Sequence, residues 1–254
     1  MKQIGLMLFF CISISVFGQT KKGLKELIDP ENAGWEKVTK WISVSKTSIE
    51  VLPKNAQRAD SAILQSQITT ISILGSVIYN CGGILIDHGF VRLLGSGCTE
   101  MNRSIPQWNK GKAKVNSGDF PTFVLIGDDA IGGLFAINAG GLDELNLNKV
   151  FYFGPNSLRW ECLRMSYEQF LVFCMTEDIR NFYSDFKWKD WESEVKSMSP
   201  DQAVSCYPLL WTRDGKELKR NRKIVPIQKL WEVYASKNKS LTATVIRSFS
   251  FNQR

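Results

Sequence analysis

One histidine, His88, stands in 254 residues, and that scarcity removes whole classes of chemistry. Multi-histidine metal centres cannot be built from it. A serine or cysteine nucleophile that needs an imidazole base has only His88 to use, and no such nucleophile sits on an elbow motif. Cys81, Cys98, Cys162, Cys174 and Cys206 are never separated by as little as a two-residue gap, which excludes zinc knuckles and thioredoxin-type redox pairs. Gly132, Gly133, Gly140 and Gly141 form neither a dinucleotide fingerprint nor a phosphate loop. No cofactor and no metal are expected. Past residue 17 no apolar run is long enough to cross a bilayer. The best candidate, Ile68 to Tyr79, is too short and carries Thr69, Thr70, Ser72 and Ser76.

What is present begins at the amino terminus. Met1 and Lys2 precede an apolar stretch from Ile4 to Phe17, followed by Gly18 and the polar run Gln19 to Lys22. This is the pattern of a secretory signal peptide over residues 1–18. It predicts a secreted or periplasmic protein whose residues 19–254 form a single α+β domain, with no integral membrane segment after cleavage. Cys11 leaves with the leader, so five cysteines face an oxidising compartment and at least one stays unpaired. Cys162 and Cys174 lie among apolar neighbours and read as buried thiols; the pairing of the five is open.

Composition is that of an ordinary globular chain, with 44% hydrophobic and 22% charged residues. The net charge of +7 is spread along the chain. Its densest run, Lys216, Lys219, Arg220, Arg222 and Lys223, reads as a solvated hairpin tip, and export argues against nucleic acid as a partner.

Apolar residues at three- and four-residue spacing predict helices over Leu24 to Ile28, Trp35 to Ile42, Ala56 to Ile68 and Ile71 to Tyr79, the last closed by a glycine cap at Gly82 and Gly83. Short apolar runs around turn residues predict strands at Ile84 to Asp87 and Phe90 to Leu94, then hairpins of Phe123 to Ile126 with Leu134 to Ile137 and of Val150 to Phe153 with Trp160 to Met165. Ser166 and Gln169 form a capping box that opens a helix. Trp188 and Trp191 are spaced to share one helical face. The fold class is therefore α+β, a mostly antiparallel central sheet flanked by helices.

Several segments resemble the uncharacterised DUF2625 family: Gly83 to Gly97 (GILIDHGFVRLLGSG), the pair Trp108 and Asn109, Gly127 to Gly141 (GDDAIGGLFAINAGG) and Val150 to Gly154 (VFYFG). The likeness continues through Phe182, Tyr183, Trp188, Trp191, Tyr207, Pro208 and Trp211. The glycine-bounded hairpin followed by a strand and a helix also resembles the core of the SMI1/KNR4 (SUKH) superfamily. That resemblance implies a SUKH-like α+β protein-binding module, often an immunity partner of secreted toxins.

Asp87 and His88, adjacent in a turn, are the candidate acid–base pair, although neighbours on an extended chain point to opposite sides. Asp128 and Asp129 read as a charged turn, since Ala130, Ile131 and Gly132 interrupt any calcium-loop spacing. A glycosidase would need a further acid such as Asp143 at a fixed distance. No residue is assigned a catalytic role. Asp87, His88, Asp128, Asp129 and Trp108 are the candidate binding residues, with the Gly127 to Gly133 loop and the Asp87 to Gly89 turn as surface. The expected function is a non-enzymatic contact with a protein partner, immunity-like in the form that the SUKH resemblance implies. The alternative, prompted by eight tryptophans, is an exported carbohydrate-binding protein or hydrolase.

Overall fold

Every strand of the main sheet pairs with its neighbour in the sequence. The computed structural model describes residues 21–113, 121–212, 221–238 and 241. The strands β1 (Ile49–Leu52), β2 (Gly83–Ile86), β3 (Val91–Leu94), β4 (Phe123–Asp129), β5 (Leu134–Asn138), β6 (Val150–Gly154) and β7 (Arg159–Cys162) lie side by side in that order. All six pairings are antiparallel. Strands β8 (Gln202–Tyr207) and β9 (Asn221–Pro226) form a second, two-stranded antiparallel sheet.

Helices cover both faces. The core on one side gathers side chains from α2 (Ala33–Ser43), α4 (Ile73–Asn80), α6 (Tyr167–Cys174), α7 (Asp178–Phe182) and α8 (Trp191–Ser197). The core on the other gathers α1 (Leu24–Leu27), α3 (Ala56–Ser66), α5 (Ile105–Asn109) and α9 (Ile227–Lys237). Along β5 and β6 the two cores are served alternately: Phe135 and Tyr152 belong to the first, Leu134 and Phe153 to the second. An antiparallel sheet usually wets one face. The central strands of this one are dry on both, which is why they read as unbroken apolar runs such as Val150 to Phe153, while the edge strands β1 and β7 keep exposed residues.

The capping box holds as expected: Ser166 Oγ accepts the Gln169 amide at 3.2 Å, and Gln169 Oε1 accepts the Ser166 amide at 2.9 Å. Two expectations are corrected. Gly82 and Gly83 do not cap a helix, because α4 ends at Asn80 with Cys81 extended, and Gly83 already belongs to β2. Trp188 and Trp191 do not share a helix either. Asp190, at φ 65°, breaks the backbone between them and α8 starts at Trp191. Residues 1–18, Lys216, Lys219 and Arg220 lie outside the described residues, while Arg222 and Lys223 are exposed in β9. Cys174 is buried, and Cys162 only half-buried. Among the described residues no helix is long and apolar enough to cross a membrane.

Candidate functional site

The β2–β3 hairpin turns on two residues that dislike its geometry. Asp87 and His88 both have positive φ, 51° and 61°, as a tight turn matching the sheet's twist requires. Non-glycine residues in this region cost about 1–2 kcal/mol each, so something must hold them. Gly89 donates its amide to the Ile86 carbonyl at 3.1 Å. Asp87, almost fully buried, accepts from Arg180 Nε at 3.2 Å and from the close ammonium of Lys187. The same ammonium lies over the Trp191 ring at 4.2 Å. Trp188 and Trp191 both meet Phe90, with ring centres 6.4 and 5.4 Å away.

His88 meets the first turn of α8. Its Nε2 lies 3.3 Å from Glu192 Oε1, which also accepts from Lys196 Nζ at 2.8 Å. Its ring centre is 6.1 Å from that of Trp191. Beside this ridge lies a cavity of about 250 Å³, lined among others by Glu50, Leu85, Arg92, Glu100, Lys196 and His88. Glu50, Leu85 and Arg92 are successive partners across β1, β2 and β3, so one sheet row forms part of the wall.

That row continues into β4, where Arg92 pairs with Asp128. The charged-turn reading of Asp128 and Asp129 is corrected here, because both end strand β4 with no solvent exposure and the turn starts at Ala130. A bulge at Ile126, between the pairs Leu125–Ala136 and Gly127–Phe135, sets which face each aspartate takes. Asp128 Oδ1 receives Arg92 Nε at 2.7 Å, and Oδ2 receives the close Arg103 Nη1. Arg103 also donates to Asp201 Oδ1 and to the Pro200 carbonyl, both at 2.7 Å. Asp129 turns to the opposite core. Its Oδ2 accepts from the Tyr152 and Tyr183 hydroxyls at 2.7 and 2.8 Å, and its Oδ1 accepts from the Ile131 and Gly133 amides. Burial pushes the Asp129 carboxyl above the ordinary carboxylate range, against those hydrogen bonds and the field of Arg92.

Trp108 is buried, not part of an exposed surface. Arg103 and Lys112 lie over its ring, at 4.7 and 4.0 Å. Burial, with the neighbouring Arg103 charge, brings the Lys112 amine down to about 8. Trp188 and Trp231 are also buried, and the other five tryptophans are partly so.

The structure thus brings Asp87 and His88 to one turn but gives them separate partners, and it sinks Asp128, Asp129 and Trp108 into the cores. Among the described residues no group of three His, Cys, Asp or Glu side chains could hold a metal ion. Sequence reasoning missed Arg92, Arg103, Arg180 and Lys187, the cations that occupy these acids. Arg92 gave a signal: an arginine inside the apolar run Phe90 to Leu94 needs a buried acid.

Residues 24–230 match the family model described as "Protein of unknown function DUF2625". An uncharacterised protein of Haemophilus influenzae is 35% identical over 219 residues, which cover 85% of this chain and 95% of that protein. The putative uncharacterised protein YbfG of Escherichia coli K12 is 32% identical over 219 residues, 86% of this chain and 98% of that one. No solved structure is a significant match.

Proposed function

Because the chain belongs to the DUF2625 family, whose description assigns no activity, we propose its function from the site: an exported, non-enzymatic protein-binding module that contacts its partner through the His88, Trp191 and Glu192 ridge. The observation that carries this reading is the braced turn. Two consecutive left-handed non-glycine residues are held by the ion pairs of the buried Asp87 carboxylate with Arg180 and Lys187. Strain of this kind persists where the surroundings over-determine it, and it concentrates at functional surfaces. The ridge places the part-exposed Trp191 indole on a rigid base, the kind of side chain that interface centres favour. Asp87, Asp128 and Asp129 support binding over catalysis, since each already satisfies at least two internal donors.

Export rests on the leader pattern of residues 1–18, which precede the family match at residue 24. The immunity-like form of the role, with a toxin as partner, rests on the SMI1/KNR4 resemblance. The test is affinity capture from an envelope extract of the native host, comparing the wild type with Trp191→Ala. The reading expects a protein retained by the first and lost from the second. It fails if nothing is retained, or if both retain the same set. Recovery of the chain outside the cytoplasm with residues 1–18 removed, read by intact mass, tests export separately.

A further inference from the structure

On a different surface, the connection from β5 to β6 is braced around one buried side chain. Asn138, fully buried, donates from Nδ2 to the Asp143 and Asn146 carbonyls at 2.5 and 2.9 Å. Its Oδ1 accepts the Gly140 and Leu142 amides at 2.8 and 3.1 Å. Asp143 adds a second layer, accepting from the Leu145 amide at 2.8 Å and from Asn146 Nδ2 at 2.6 Å. Yet this ordered loop holds Leu145 at 92% exposure and Leu147 at 51%. Leucine gains nothing from such a position in an isolated chain, and a preorganised apolar knob is what a binding surface presents.

Beside the knob lies a cleft of about 540 Å³ with Leu142, Leu158 and Trp160 in its lining, and with Arg159 and Lys237 as its cations. The Trp160 indole N–H is buried with no hydrogen-bond partner among the described residues. The knob carries the opposite charge, with Asp143 and Glu144 directly before Leu145. Acidic knob and basic cleft adjoin on one face, and a two-fold rotation sets each against its complement.

We propose that two copies of this chain associate about a two-fold axis through this face. Leu145 and Leu147 of each copy enter the cleft over Leu142, Leu158 and Trp160 of the other, and Asp143 and Glu144 face Arg159 and Lys237. This surface is separate from the His88 ridge, so the dimer stands or falls independently of the partner reading.

Sedimentation equilibrium of the purified chain between about 1 and 100 µM, the range in which interfaces of modest area dissociate, tests it. The expected result is a dimer that weakens as salt is raised. Leu145→Asp should raise its dissociation constant about tenfold or more. Because Leu145 is exposed, that variant should keep the wild-type circular dichroism, and its melting temperature should match the wild type's only at concentrations where both are monomeric. Arg159→Glu should weaken the dimer, and adding Glu144→Arg to it should restore association. A monomer at the top of the range overturns the proposal, as does a dimer indifferent to both single variants.

Discussion

Replacing Asp128 with asparagine keeps the shape of the side chain and removes its charge. Arg92 suffers most. Its side chain is 1% exposed, so water cannot replace the carboxylate, and its remaining acceptor is the Asp129 carbonyl at 2.7 Å. Arg103 fares better, because it keeps Asp201 and the Pro200 carbonyl. Removing one member of a buried ion pair costs about 3–5 kcal/mol, and the loss should fall in that range. For a chain of this size, with a urea slope of about 2–3 kcal/mol/M, the midpoint should drop by roughly 1–2.5 M at unchanged slope. Equilibrium unfolding followed by tryptophan fluorescence reads it directly. The double variant Arg92→Met with Asp128→Leu should lose less than Asp128→Asn alone, since apolar replacements leave no orphaned charge. A midpoint shift for Asp128→Asn below about 0.3 M would refute the reasoning, because the guanidiniums would then have found other acceptors.

Three further outcomes follow from the same geometry. Burial raises the Asp129 carboxyl, so the folded chain holds that proton more tightly than the unfolded one. The residue therefore makes stability fall as pH rises from about 3.9 to its folded value. Asp129→Asn should flatten that slope in unfolding free energies measured from about pH 4 to 8, and parallel curves would count against the assignment. Gly133→Ala should cost about 3 kcal/mol or more, because its Cβ would lie 2.2 Å from Asp129 Oδ2 and 2.3 Å from the Tyr152 hydroxyl. Gly89→Ala should cost only the conformational 1–2 kcal/mol or so, since its nearest neighbour is Val195 Cγ1 at 3.8 Å; thermal melts that rank the two the other way would be decisive against this. A maleimide at about pH 8 should label half-buried Cys162 in the native state, while Cys81, its thiol pushed up to about 12 by burial, and Cys174 react only after denaturation, as peptide mapping would show.

Strands β2 to β7 were legible because each apolar run stops at residues that favour turns, and the start of α6 because Ser166 and Gln169 cap it locally; β1 and β9, which carry charged residues among their apolar ones, and the starts capped by Ser72 and Ser104 were not read. What escaped depends on contacts between distant segments. Asp128 and Asp129, followed by Ala130 to Gly133, look like any charged turn. Only the Ile126 bulge and the arrival of Arg92, Arg103, Tyr152 and Tyr183 make them interior. Asp87 and His88 were legible as turn residues, whereas the bracing of Asp87 by Arg180 and Lys187 was not, because those cations come from a later part of the chain.

The strict neighbour-by-neighbour order of the sheet also bears on how the molecule is made. A chain that emerges amino terminus first can add each strand to one already present, from β1 through β7, without waiting for a later segment to complete a pairing. Elements after the sheet reach back to it: Arg180 and Lys187 hold Asp87, the Tyr183 hydroxyl holds Asp129, Asp201 grips Arg103 and the Asn102 amide, and the Val204 amide reaches the Ala130 carbonyl. Assembly should therefore proceed like a row of tiles laid from one end, with a late clasp that reports completion, an order suited to a polypeptide delivered in one direction.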